Sequence, residues 1–202
     1  MPAAATVARG GLVAFVGLVA LEHVLRPGLP PADHFVSEYA HGATAPVQTA
    51  AFVAWALATA ACAVLAARVP GRPVARALTV LALAAAAAGL LIAATFTTQT
   101  VGGELPTGVE RTTGGRLHDV GTLAILAGLL VAALASVRLL PRRGYRLGVL
   151  GLGAALLAIV PVLVALGYDA PGVGQRGFIL VGCAWQWLFV RASLGPVGAT
   201  TG

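Results

Sequence analysis

In a chain of 202 residues, 58% are hydrophobic and only 10% are charged, which excludes an ordinary soluble globular domain and belongs in lipid. The net charge of +6 comes from thirteen basic residues, all arginine, against seven acids; the arginines are scattered at the ends of apolar runs, not gathered in a stripe, so no nucleic-acid partner is expected. Six spans of about 20 residues each would take up most of the length, so the expected fold is all-α, a polytopic bundle of six transmembrane helices forming one integral-membrane domain over residues 1–202.

The first apolar segment, 7–25, has GLVAFVGLVALEHVL at its heart. It lacks a small-residue cleavage site before a polar stretch and reads as span 1, not as a signal peptide. At its end stand Glu22, His23 and Arg26, with Glu22 and Arg26 four apart in the order that favours a helical ion pair. Pro27, Pro30 and Pro31 then break the helix. The stretch PPADHFVSEYAHG, 30–42, gathers Asp33, His34, Ser37, Glu38 and His41 in a chain made largely of Ala, Leu, Val and Gly. A helix over 34–41, capped by Asp33 and ended by Gly42, would put His34, Ser37, Glu38 and His41 on one face. Phe35 and Tyr39 would anchor this short extracytoplasmic, interfacial helix at the lipid headgroup boundary.

Span 2, 49–67, carries Trp55 and ends in the turn VPGRP with Arg68 and Arg72. Span 3, 74–96, contains Ala84 to Ala88 and then Gly89, a surface that a neighbouring helix can approach closely. Residues 97–115, TTQTVGGELPTGVERTTGG, read as a connecting loop or as a mobile cover over the 30–42 stretch. Arg116, His118 and Asp119 mark the entry to span 4, 117–140, near the same membrane face as Glu22 and His23. Span 5, 147–167, follows PRRGYR, with Gly148, Gly151 and Gly153 for close packing and Pro161 as a local kink. Span 6, 178–194, follows the loop YDAPGVGQRG and holds Gln186, which is expected to bond a neighbouring helix. Cys62 and Cys183, at different depths in apolar runs, read as small core residues and not as a disulfide.

Orientation follows from the arginines. With both termini cytoplasmic, Arg9, Arg68, Arg72, Arg76, Arg138, Arg142, Arg143, Arg146 and Arg191 lie inside. Only Arg26, Arg111, Arg116 and Arg176 lie outside, which favours this topology in the cell membrane. All seven carboxylates (Glu22, Asp33, Glu38, Glu104, Glu110, Asp119, Asp169) and the four histidines then fall on the outer side.

Ser37-Glu38-Tyr39 after span 1, Phe96-Thr97-Thr98 at the outer end of span 3, Leu117-His118 entering span 4 and Gln175-Arg176 before span 6 occur in that order. In these motifs the chain resembles the bacterial and archaeal membrane proteins of the domain of unknown function 998 (DUF998), whose members resemble six-span proteins. Family members carry a Pro and an Asp in the stretch that reads Phe96-Thr97-Thr98-Gln99 here, and an acid in place of Gln175. The resemblance implies a topology and no established activity.

The expected function is binding. Glu22, His23, Ser37, Glu38, His41, Arg116, His118 and Asp119 would form a polar pocket at the outer interface for a lipid headgroup, an ion or a membrane-protein partner, because polar groups near a membrane core mark functional sites. The alternative is a metal-dependent, membrane-embedded hydrolase, with His23, His41 and His118 as ligands and Glu38 or Asp119 as base. Neither HExxH nor G-x-S-x-G sharpens that alternative. Since unpaired charges at the lipid boundary are expensive, Ser37-Glu38 is expected to fold back on spans 1 and 4, with Glu38 near His118 or Arg116.

Overall fold

The computed structural model describes residues 1–165 and 170–195. Among them are six α-helices: α1 (Pro2–Leu25), α2 (Ala45–Arg68), α3 (Pro73–Thr95), α4 (Thr113–Leu139), α5 (Arg143–Ala165) and α6 (Pro171–Leu194). A short 3₁₀ helix, Val36–Ala40, stands between α1 and α2. Four helices open with proline in the first turn, at Pro2, Pro46, Pro73 and Pro171. A missing N–H costs nothing there, since it has no partner within the helix anyway.

Packing is set by small residues. A Cβ added at Gly128 of α4 would lie 2.6 Å from the Ala82 carbonyl oxygen of α3, and one at Gly89 would lie 2.5 Å from that of Gly121. Gly11 of α1 meets the Ala54 carbonyl of α2 in the same way. Without a hydrophobic drive between helices in lipid, such backbone approach is what holds neighbours together. Buried polar groups pair between helices: Trp55 Nε1 donates to Gln186 Oε1 (2.7 Å), and Gln186 Nε2 donates to Thr59 Oγ1 (2.9 Å). The expected interhelical bond of Gln186 is therefore present. Cys62 and Cys183 are buried free thiols.

Five helices, α1 to α4 and α6, are long and apolar enough to cross a membrane among the described residues. Large apolar side chains face outward, as at Leu81 (67% exposed) and Leu157 (78%). Water would make such surfaces sticky, but lipid accommodates them. The expected fifth span, 147–167, coincides with α5 through Ala165; its last two residues and Asp169 lie outside the described residues.

The helices α1, α2, α4 and α5 each begin four or five residues before the expected spans, and two differences are larger. In the stretch read as the loop before span 6, residues from Pro171 onward form the first turns of α6. Proline at the first helical position starts a helix as readily as it breaks one. The 30–42 stretch forms no α-helix over 34–41 but a five-residue 3₁₀ turn, with Phe35 and His41 extended at its two ends.

Candidate functional site

The end of the bundle that carries the 3₁₀ helix gathers the described carboxylates and the histidines. All five residues of that helix are buried. Tyr39 is wholly buried; its hydroxyl donates to the Leu29 carbonyl (2.9 Å) and accepts from Arg176 Nη2 (3.2 Å). Burial pushes its phenol pKa up, against the pull of the nearby Arg176 charge. Tyr39 is thus no lipid-headgroup anchor: the 3₁₀ turn points it inward.

Arg176, in the second turn of α6, holds this segment in place. Its Nη1 donates to the carbonyls of Pro31 (2.7 Å), His34 (2.6 Å) and Gly172 (3.1 Å), and its Nε donates to His23 Nε2 (3.1 Å). Gln175 Oε1 accepts the Val36 amide at 2.6 Å. Gly172 lets the loop come close, for a Cβ there would collide with the carbonyl oxygens of Pro31, Ala32 and His34.

Glu38 binds the loop after α3. Its carboxylate accepts the amides of Gly102 and Gly103 (both 3.0 Å) and meets His34 Nδ1 at 2.6 Å. The two glycines have φ of +61° and +83°, and successive amides in such a turn converge on an anion. Burial alone would raise the Glu38 carboxyl pKa, but His34 and these amides outweigh it and hold it below the usual carboxylate value. The expected partners, His118 and Arg116, are replaced by this turn, whose main-chain donors need no side-chain charge. The 97–115 loop is therefore tied onto the 3₁₀ helix along its first part.

Beneath this roof lies a cavity of about 500 Å³ between α2, α4 and α6. Phe52, Trp55, Ile125, Leu126, Phe178 and Ile179 form its apolar wall. Ser37, His118, Thr122 and Gln175 supply its polar groups, and among the described residues no carboxylate and no arginine lines it. His118 Nδ1 donates to the Phe96 carbonyl (2.7 Å), so in the neutral ring Nε2 is left as the acceptor.

Of the eight candidate residues, then, Ser37 and His118 line the cavity. Glu22, His23, Glu38 and His41 stand around the 3₁₀ segment without lining it. Arg116 and Asp119 are exposed, and Asp119 pairs with Arg111. The expected Glu22–Arg26 ion pair is absent among the described residues. Arg26 has left helical geometry as the cap of α1, and its guanidinium turns to the His41 carbonyl and Thr44. Glu22 and Gln48 are both wholly buried; Thr44, the Gln48 backbone amide and Arg26 stand beside the Glu22 carboxylate, whereas the Gln48 side-chain amide makes no hydrogen bond among the described residues.

The three histidines proposed as metal ligands are not brought together. His41 Nε2 donates to the Thr98 carbonyl (2.8 Å), His118 is held by Phe96 and His23 faces Arg176. No group of three His, Cys, Asp or Glu side chains able to hold a metal exists among the described residues. Sequence reasoning missed Gln175 and Thr122 as lining groups and Arg176 as the clamp, although a Gln-Arg pair ahead of an apolar run was a visible signal.

Residues 10–192 match the family described as protein of unknown function (DUF998). The chain belongs to the DUF998 family. No curated protein and no solved structure matches it. Its apolar helices and this membership together make it a multi-pass membrane protein. Every motif that carried the family resemblance meets at this end of the DUF998 bundle: Ser37 to Tyr39, Phe96 to Thr98, His118, and Gln175 with Arg176.

Proposed function

We propose that this DUF998 protein binds an uncharged amphiphile, a lipid or lipid-like molecule, in the cavity under the 3₁₀ helix. The observation that carries this reading is the cavity's division into an apolar wall and an uncharged polar set, with a volume of about 500 Å³. That size falls among ligand pockets of roughly 300–1,000 Å³, which are mostly apolar with a few placed hydrogen-bonding groups. Ser37 and His118 Nε2 offer a hydroxyl and an acceptor to the ligand's head, and Gln175 keeps its amide donors while its oxygen holds Val36. The tail would run along Ile125, Leu126 and Phe178. A charged head would be desolvated without a counter-charge, which disfavours an anion or cation in this cavity.

The same proposal covers placement. Residues 1–202 form one domain of six spans in the cell membrane, with both termini cytoplasmic and the 3₁₀ segment at the extracytoplasmic interface. The arginine count supports this orientation. The test of binding is the mass of the intact protein released from neutral detergent. An uncharged amphiphile should stay bound to the native chain and be lost from Ile125→Trp and Leu126→Trp, which fill the cavity. Equal retention by the filled variants would refute the reading.

A further inference from the structure

The opposite end of the bundle carries a second cavity, of about 240 Å³. Pro70 and Arg72 line it from the turn between α2 and α3, and Leu139 and Pro141 from the junction of α4 and α5. Arg138, in the last turn of α4, and Arg146, in the first turn of α5, complete the wall. The two turns pack on each other, with Gly71 lying against Leu139.

Three arginines thus line one small volume. Like charges gathered around one opening repel, and a negative group among them relieves the repulsion, although water and salt screen it where the side chains are exposed. The protein supplies no such group: none of the three guanidiniums has a hydrogen bond or ion pair among the described residues. The described carboxylates, Glu22, Asp33, Glu38, Glu104, Glu110 and Asp119, all stand toward the other end. Arg142 of the same turn behaves differently, donating to the Ala192 and Gly195 carbonyls where α6 ends. Orientation rules explain why arginines accumulate on one face of a membrane protein, but they do not require three of them to line one cavity.

Helix ends add to the same field. α3 begins at Pro73 with Arg72 as its N-cap and no side-chain cap, and α5 begins at Arg143. Each helix start presents unpaired amide donors and the positive end of its dipole.

We propose that this cavity binds a phosphate group, held by Arg72, Arg138 and Arg146. The guanidinium fork matches pairs of phosphate oxygens, which a point charge cannot do. Two sources share this chemistry, the phosphodiester of an anionic lipid headgroup and free phosphate. Basic pockets at the ends of membrane helices suit the lipid source, and the exposed Leu147 beside Arg146 offers a surface for its chains. The site is independent of the amphiphile cavity at the other end, so either can fail alone.

The test is binding to the purified full chain in neutral detergent, where topology plays no part, read from the mass of the intact complex. One arm adds phosphatidylglycerol, one phosphatidylcholine and one inorganic phosphate. Phosphatidylglycerol should bind in preference to phosphatidylcholine. Arg72→Gln, Arg138→Gln and Arg146→Gln should each weaken it about tenfold, the loss of one charge-assisted hydrogen bond. Arg146→Lys, which keeps the charge and loses the fork, should fall between. Arg68→Gln, on the same face but outside the cavity, should change nothing. Inorganic phosphate that binds through the same arginines, without any lipid preference, would support the site and name free phosphate as its source. Binding of both probes by the triple glutamine variant as tightly as by the native chain, or binding of neither by the native chain, would overturn the proposal. These side chains are exposed, so the substitutions leave the fold intact.

Discussion

Glu38 fastens two loops with one carboxylate, and its bonds to Gly102 and Gly103 make the roof of the cavity sensitive to acid. Its pKa in the fold lies below that of the unfolded chain. The stability it contributes is therefore complete above the unfolded value, about 4.3 for Glu, and is lost as pH falls through the lower folded value. Protection of the Gly102 and Gly103 amides, measured against the intrinsic exchange rate at each pH, should be high at neutral pH and fall only once the pH drops through the lowered Glu38 value. Glu38→Ala should abolish that protection at every pH and destabilise the fold by about 1–3 kcal/mol; retained protection would remove Glu38 from this role. Gln48 makes the opposite case, a wholly buried side-chain amide with no hydrogen bond among the described residues. Burying such an amide unpaired costs about 1–3 kcal/mol, so Gln48→Leu should raise the thermal midpoint. A fall would show that the Gln48 amide is bonded in the folded chain. Neither role was legible from the sequence. The main-chain amides that hold Glu38 come from glycines 64 and 65 positions away and carry no side-chain signature, and i,i+4 spacing promised Glu22 a partner that the helix cap turned away.

At the scale of elements, α6 does more than cross the membrane. Its first two turns supply Gly172, Gln175 and Arg176, which receive the loop after α1 and fix the position of the 3₁₀ helix. Arg176→Ala removes donors to two loop carbonyls and to Tyr39, and should cost about 2–4 kcal/mol. Limited proteolysis should then cut within residues 28–35, and should leave them intact in the native chain. Arg176→Lys should rescue little, because a single ammonium cannot reach several carbonyls in a plane as the guanidinium does. Full rescue by lysine would reduce Arg176 to a simple charge. The spans themselves were readable, since a run of about 20 apolar residues matches the thickness of a bilayer's hydrocarbon core. The start of α6 was not, because Pro171 with its neighbouring glycines has the composition of a loop, and only the close approach of the Pro31 to His34 carbonyls shows why glycine stands at 172. The short 30–42 segment was read as polar and important, but as the wrong helix. Its 3₁₀ turn follows from loop contacts on both sides, with α6 and with the Gly102-Gly103 turn, and not from its own periodicity.

For the whole molecule, the described acids and the histidines gather at one end and most of the arginines at the other, with the larger cavity at the first. In a background where Cys62 and Cys183 are replaced by alanine, Pro70→Cys should resist a membrane-impermeant thiol reagent in intact cells, whereas Thr107→Cys should react. The reverse pattern would invert the orientation. The central claim is that an uncharged amphiphile enters the cavity beneath the 3₁₀ helix, and Trp55 in its wall reports on that directly. With Trp185 and Trp187 changed to phenylalanine, Trp55 is the sole tryptophan. Titration of this variant in neutral detergent with a monoacylglycerol brominated along its chain should quench Trp55 fluorescence saturably, and the addition of Leu126→Phe should weaken that quenching markedly. Quenching that rises linearly without saturation, or is the same in the filled variant, would contradict the account.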